Sequence, residues 1–289
     1  RQRRRADTLM AENGRKIGME QEKIGFIGVG NMGGALAGAA CAACGTSRVL
    51  VSDGTPERTR TIAEHLGAVC SDHATIATEC RMIFLGVKPG LVQTVLAGIL
   101  PVLEQRRDPV ALVSMAAGVP ISAVQSGMSE KKMPVIRIMP NTPVAVGEGM
   151  IVYTASPEVT KEDVLLLRQV LSCAGRLDAV TEAQVDMAGA VSGCGPAFVY
   201  LFLEAMADGA VECGLPREKA LLYAEQTLLG AAKTALESGR HPGALKDAVC
   251  SPGGTTIAGV HALEAAGFRA AVMDAVTAAY RKTEEMQKH

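Results

Sequence analysis

The 289-residue chain has no tryptophan, and aromatic residues make up only 3% of it. Its core must therefore be assembled from Ala, Val, Leu, Ile and Met, side chains that let helices approach closely. Charge of one sign is missing too: 29 Lys and Arg stand against 30 Asp and Glu, a formal net charge of -1. Such a surface offers no field to recruit a polyanion or an acidic bilayer, so neither nucleic acid nor a membrane is expected as a partner. No run of 18 apolar residues occurs, and no apolar stretch follows the early arginines, so no membrane span or secretory signal is expected. A cytoplasmic location is the expectation.

Eight cysteines are present but scattered. They make no disulfide framework of the small secreted kind, and no second cysteine pair exists to complete a zinc site, so no metal is expected. Cys41-Ala-Ala-Cys44 has redox-motif spacing, yet it lies among alanines and reads as buried, reduced core. Residues 1–22 open with Arg1, Arg3, Arg4 and Arg5, show no apolar period and read as a disordered basic extension. Asp7 and Glu12 argue against a transit peptide.

What the chain does have is alternation. From Lys23, short apolar runs alternate with helical segments, the signature of a parallel sheet in βαβ units. Strands are expected at Ile24 to Ile27, Arg48 to Ser52, Met82 to Val87, Val110 to Ser114, Val135 to Ile138, Met150 to Tyr153 and Gly175 to Val180. Helices are expected at Asn31 to Cys44, Pro56 to Leu66 and Lys161 to Cys173. The two prolines of Met139-Pro140-Asn141-Thr142-Pro143 rule out regular structure there. After about Thr181 the strand signal stops, and Pro196 to Glu212, Arg217 to Glu237, Ile257 to Ala266 and Phe268 to Lys288 read as helices. The fold class is thus α/β: a Rossmann-type, mostly parallel sheet domain at 23–180, followed by an all-α domain at 181–289. Leu201-Phe202-Leu203 and Leu228-Leu229 make the later helices apolar around much of their circumference. A partner chain is expected to cover them, which points to a homo-oligomer.

Four loops carry chemistry. Gly28-Val29-Gly30-Asn31-Met32-Gly33 follows the strand ending at Ile27 and opens a helix, the context a dinucleotide fingerprint requires. Gly28 permits the tight turn, Gly30 the approach of a pyrophosphate, and Gly33 the packing of helix on sheet. Asp53 lies about 20 residues beyond Gly33, where an acid binds the ribose hydroxyls of NAD and repels a 2′-phosphate. It reads equally well as the start of a turn before Gly54. Gly86-Val87-Lys88-Pro89 and Met115-Ala116-Ala117 lie at further carboxyl strand ends, where open α/β sheets bind ligands.

The fourth loop is Ser251-Pro252-Gly253-Gly254-Thr255-Thr256, whose free N–H groups at a helix start suit a carboxylate. Its alternative reading is a long cap with Thr255 or Thr256 as the capping residue. A similar entry, Ser192-Gly193-Cys194-Gly195-Pro196, reads as a close-packed turn.

Together these stretches, with Arg137 to Pro143, resemble the pyrroline-5-carboxylate reductases, in the family's order over nearly the whole chain. The resemblance implies hydride transfer from NADPH or NADH to the C=N carbon of 1-pyrroline-5-carboxylate, giving L-proline. It implies that Ile27, Gly28, Val29, Gly30, Asn31, Met32, Gly33, Asp53, Gly86, Val87, Lys88, Pro89, Met115, Ala116 and Ala117 meet the cofactor. Gly253, Gly254, Thr255 and Thr256 would hold the substrate, with Thr256 as the catalytic hydrogen-bonding residue at the ring nitrogen. It further implies a homodimer through the helical domain, with a larger assembly left open. NADP-preferring relatives tend to have Asn-Arg where this chain has Asp53-Gly54, which favours NADH. Lys219, Lys233 and Lys246 all lack the following Asn of a β-hydroxyacid dehydrogenase, and the intact 253–256 loop argues against a non-catalytic dinucleotide sensor.

Overall fold

The computed structural model describes residues 22–128 and 132–286. The predicted basic extension lies, but for its last residue, outside them. The described residues fall into two compact units, one built from the chain up to Gly193 with the end from Tyr280, the other from Cys194–Ala279.

The first unit holds eight strands in the order β3-β2-β1-β4-β5-β6-β7-β8. They are β1 (Ile24–Ile27), β2 (Val49–Ser52), β3 (Val69–Cys70), β4 (Met82–Leu85), β5 (Ala111–Ser114), β6 (Val135–Met139), β7 (Gly149–Ala155) and β8 (Gly175–Ala179). All neighbours run parallel except β6 and β7. β1, β2, β4 and β5 are buried at every residue, which explains their unbroken apolar runs, since a parallel sheet is covered on both faces. Phe26 and Phe84 lie opposite each other in the β1–β4 register and stack with centroids 4.5 Å apart.

One face packs against α1 (Asn31–Cys44), α2 (Pro56–Leu66) and α6 (Lys161–Val170), through Leu36, Ala40, Ala63 and Leu167 among others. The other packs against α3 (His73–Glu79), α4 (Val92–Leu103) and α5 (Ile121–Gln125), through Ile76, Leu96, Ile99 and Val124. α7 (Glu182–Ser192) continues this unit. Arg137, on β6 and only 2% exposed, donates from Nη2 to Asp186 of α7 at 2.6 Å. Cys41 is buried, Cys44 half-buried, and both are free thiols. Burial pushes both thiols above their ordinary range, as expected of reduced core cysteines.

In the second unit lie α8 (Gly195–Glu212), α9 (Arg217–Ser238), α10 (Pro242–Ala248) and α11 (Thr255–Ala265). α12 (Phe268–Met286) starts in this unit and ends in the first. α8 and α9 pack as a pair, and Phe202 meets Phe268 at 5.5 Å between centroids. Large apolar side chains nevertheless stay exposed: Leu201 at 69%, Leu229 at 58% and Met273 at 69%. The stretch 182–212 is long and apolar enough to cross a bilayer by length and composition alone.

Local readings change in several places. The strand expected to reach Val87 ends at Leu85, and the helix expected to reach Cys173 ends at Val170. Thr142–Val146 forms a short 3-10 helix despite Pro143. Pro143 sits in the first turn, where no N–H is needed, so it starts the helix rather than preventing it. The helix expected from Ile257 begins two residues earlier, at Thr255.

Candidate active site

The strand order reverses between β1 and β4, and the crevice outside their carboxyl ends is where such sheets bind nucleotides. The chain stitches that edge with backbone bonds: Gly28 N–H donates to Ser52 O at 2.8 Å, and Gly86 N–H to Ile27 O at 2.8 Å. Met115 N–H reaches Leu85 O at 3.4 Å. Gly28, Gly86 and Met115, proposed from three separate loops, thus stand along one sheet edge.

The glycines of this edge do different work. Gly28 has φ +90° and a Cβ there would lie 2.7 Å from Gly86 O, so both conformation and space exclude other residues. A Cβ on Gly33 would come 2.0 Å from Gly28 O, and one on Gly86 would come 2.3 Å from the same oxygen. Gly28, Gly33 and Gly86 are therefore glycines because the protein packs against itself.

Gly30 is the exception. It caps α1 with φ -66° and ψ -164°, and a Cβ there meets nothing within 4 Å. No side chain caps α1, and its first intrahelical bond is Gly34 N–H to Gly30 O at 2.7 Å. The N–H groups of Asn31, Met32 and Gly33 precede that bond and face outward at the positive end of the helix. An open cradle of N–H groups whose floor lacks a side chain fits a pyrophosphate.

Asp53 braces this turn. Its Oδ2 accepts Val29 N–H at 3.1 Å and its Oδ1 accepts Thr55 N–H at 3.0 Å, the second bond closing a turn around Gly54. Thr59 Oγ1 accepts Asp53 N–H at 2.9 Å, and Arg58 Nη1 lies 3.5 Å from Asp53 Oδ1. The turn reading of Asp53 is thus seen directly, with a bond to the glycine loop that its sequence position alone did not reveal. Lys88 and Pro89 are exposed, Val87 and Met115 half-buried, Ala116 buried and Ala117 exposed.

In the second unit, Ser251-Pro252-Gly253-Gly254 is closed by Gly254 N–H to Ser251 O at 3.0 Å. Pro in the second place and Gly253 at φ +68° in the third are the marks of a type II turn. A Cβ on Gly254 would lie 2.6 Å from Ser251 Oγ, a hydroxyl free to rotate aside, and 3.1 Å from Ser251 O. Gly254, not a threonine, is the N-cap of α11, and no side chain caps the helix. The capping reading of Thr255 and Thr256 therefore fails: both sit inside the first turn with exposed side chains. The turn presents open N–H groups beside two hydroxyls, the donor set a carboxylate needs.

Cys194 is exposed at the N-cap of α8. The close packing expected of its loop is found instead at Gly193, where a Cβ would meet Gly189 O at 2.7 Å. Asn141, which sequence reasoning placed in no role, is buried and donates from Nδ2 to Ser192 O at 2.9 Å while its Oδ1 accepts Met150 N–H at 2.8 Å.

Residues 182–286 match the family model for pyrroline-5-carboxylate reductase dimerisation, and residues 23–118 that for NADP oxidoreductase, coenzyme F420-dependent. The chain is 40% identical over 271 residues to pyrroline-5-carboxylate reductase of Escherichia coli strain K12, covering 93% of this chain and 99% of that protein. It is 41% identical over 266 residues to the Pisum sativum pyrroline-5-carboxylate reductase, covering 91% and 95% respectively. The structure of the Plasmodium falciparum pyrroline carboxylate reductase with NADP bound superposes with a TM-score of 0.80 at 32% identity, covering 93% of this chain and 99% of that one.

Proposed function

The chain belongs to the pyrroline-5-carboxylate reductase family, and on that premise we propose how its residues divide the work of reduction. It is an NAD(P)H-dependent oxidoreductase that reduces the C=N bond of 1-pyrroline-5-carboxylate to give L-proline. Bound dihydronicotinamide supplies the hydride. The chain's own residues bind, orient and neutralise.

The N–H groups at the start of α1 hold the pyrophosphate over Gly30, while Gly28 to Gly33, Gly86 to Pro89 and Met115 to Ala117 line the remainder of the cofactor. Asp53 keeps the glycine turn in shape and disfavours a 2′-phosphate, so NADH is used in preference to NADPH. A second reading, NADPH preference, draws on Arg58, which is 55% exposed beside that carboxylate.

The N–H groups of Gly253, Thr255 and Thr256 hold the substrate carboxylate, that of Gly254 being taken by Ser251 O, and the Thr256 hydroxyl orients the ring nitrogen. A protonated imine is already electrophilic, so placing it correctly is the main task, and placement of this kind supplies up to roughly 7–11 kcal/mol in favourable cases. One observation carries this assignment: the first turn of α11 opens uncapped beside two exposed hydroxyls, on a Ser-Pro-Gly-Gly turn closed by Gly254 N–H on Ser251 O.

The protein forms oligomers through a dimerisation region. We assign that region to the helical half from residue 181, as a homodimer, with Leu201, Leu229 and Met273 in the covered seam. A seam of that kind also accounts for the apolar stretch at 182–212 without a bilayer. A cytoplasmic location accords with this reading.

Thr256→Ala tests the assignment. Loss of a hydrogen bond to a charged group is expected to cost about 1–3 kcal/mol in kcat/KM for 1-pyrroline-5-carboxylate. Cofactor affinity should stay unchanged. Unaltered kinetics would remove Thr256 from the mechanism.

A further inference from the structure

The motif 137–143 and the 3-10 turn that follows it have no part in the assignments above, yet they stand beside them. A cavity of about 650 Å³ runs along α1 and α2, with Gly38 and Leu66 in its lining, and reaches Val29, Gly30 and Asn31 as well as Val144, Ala145 and Gly147. The glycine turn and the Thr142–Val146 turn, which leaves the carboxyl end of β6, thus share one cavity.

The Thr142–Val146 turn is built rather than loose. Asn141, at its start, ties it to two elements: Oδ1 accepts Met150 N–H near the start of β7, and Nδ2 donates to the last carbonyl of α7 at Ser192. Val144 is buried and plugs the space over Gly149, where a Cβ would lie 2.3 Å from Val144 Cγ1. Glu148 N–H donates to Pro143 O at 3.1 Å, and Gly149 N–H to Ala174 O at 2.9 Å. Against this rigid frame, Ala145 is exposed and Val146 is 78% exposed, an apolar tip that the first unit leaves uncovered.

We propose that the Thr142–Val146 turn is a wall of the dinucleotide site, covering the flank of the ligand whose pyrophosphate meets Gly30, and that Asn141 is the positioning residue that holds this wall in place. The inference rests on the reading of the glycine turn as the cofactor site. A buried Asn with both amide ends satisfied costs little to keep and is a common brace. What gives it a role is the surface it braces: removing the amide frees the turn from β7 and α7 together, beside the cavity it shares with Gly30.

Two variants test this, each titrated with NADH and NADPH by fluorescence and assayed for KM and kcat. Ala145→Trp places a large side chain on an exposed position of the wall, so the fold is undisturbed and the cavity is narrowed. It should weaken cofactor binding by about tenfold or more, in line with the cost of overpacking a fitted site. Asn141→Ala should raise cofactor KM by about fivefold or more, the effect of one lost buried hydrogen bond. In that variant kcat at saturating cofactor and KM for the imine should stay within about twofold. An Asn141→Ala protein that melts earlier but keeps its cofactor KM would make Asn141 a structural brace only and overturn its positioning role. Wild-type affinity in Ala145→Trp would overturn the wall. If the wild-type chain itself binds neither dinucleotide, the reading of the glycine turn fails instead, so the two failures are told apart.

Discussion

Gly30 and Gly33 lie three residues apart in one fingerprint, and their alanine variants should fail in opposite ways. A Cβ on Gly33 would stand 2.0 Å from the backbone oxygen of Gly28. The obstacle is main chain, not a side-chain tip that can swing aside, so α1 must retreat from the sheet by more than an ångström. Overpacking of this kind costs about 1–3 kcal/mol, and the upper end is expected where backbone meets backbone. For a unit of this size each kcal/mol lowers Tm by about 2–4 °C, so Gly33→Ala should melt roughly 5–10 °C early.

Gly30→Ala introduces no such clash, since its Cβ meets nothing within 4 Å and its φ of -66° suits any residue. Restricting the unfolded chain gains about 0.4–1 kcal/mol, while alanine at an N-cap costs a similar amount, so Tm should hardly move. The new methyl group would occupy the floor of the pyrophosphate cradle, and cofactor affinity should fall by about tenfold or more, as for an overpacked site. The assay is a pair of thermal melts with and without NADH, alongside a cofactor titration. Equal loss of Tm in both variants, or wild-type cofactor affinity in Gly30→Ala, would refute the division of roles.

Other perturbations follow from buried charge and burial itself. Arg137→Met removes the buried cation facing Asp186 and should destabilise the sheet unit by about 3–5 kcal/mol in denaturant unfolding; a loss under about 1 kcal/mol would mean that Asp186 is compensated by other groups. Burial pushes the Cys80 thiol up from its ordinary 9.0 to about 12, so folding favours its neutral form. Its contribution to stability is full below pH 9.0 and lost as pH rises toward about 12. At neutral pH a thiol reagent should label exposed Cys70, Cys173, Cys194 and Cys213 in the native protein and leave Cys80 unlabelled until it unfolds. Prompt native labelling of Cys80 would contradict its burial.

Much of this architecture was legible in the residues. The unbroken apolar runs of β1, β4 and β5 announce a sheet covered on both faces, and Gly28 to Gly33 announces what the first strand leads into. The two-residue strand Val69–Cys70 was not legible, because it is too short to show a period and both its residues are exposed. Nor was the 3-10 turn, because proline was weighed as a breaker when its place in a first turn makes it a starter.

At the site, the glycines of the fingerprint were readable as a group but not individually. That Gly33 and Gly86 crowd the same oxygen of Gly28, while Gly30 crowds nothing, depends on contacts between distant segments. Asp53 shows the same limit. Its spacing suggested a ribose ligand or a local turn, and only the fold shows its Oδ2 on the Val29 N–H. The role of Asn141 was not legible, since its partners Met150 and Ser192 lie 9 and 51 residues away. The one clue was its place between two prolines after an apolar strand, where an Asn is costly to bury without partners.

The proposed reaction needs both the glycine turn and the Gly253–Thr256 loop. The decisive assay mixes the intact protein with 1-pyrroline-5-carboxylate and follows oxidation of NADH and, separately, NADPH, with proline measured as product. Expected are dinucleotide oxidation that depends on the imine, proline formed in equal amount, and a higher kcat/KM with NADH than with NADPH. Absence of imine-dependent oxidation with either dinucleotide would contradict this reaction, and a strong preference for NADPH would overturn the weight placed on Asp53.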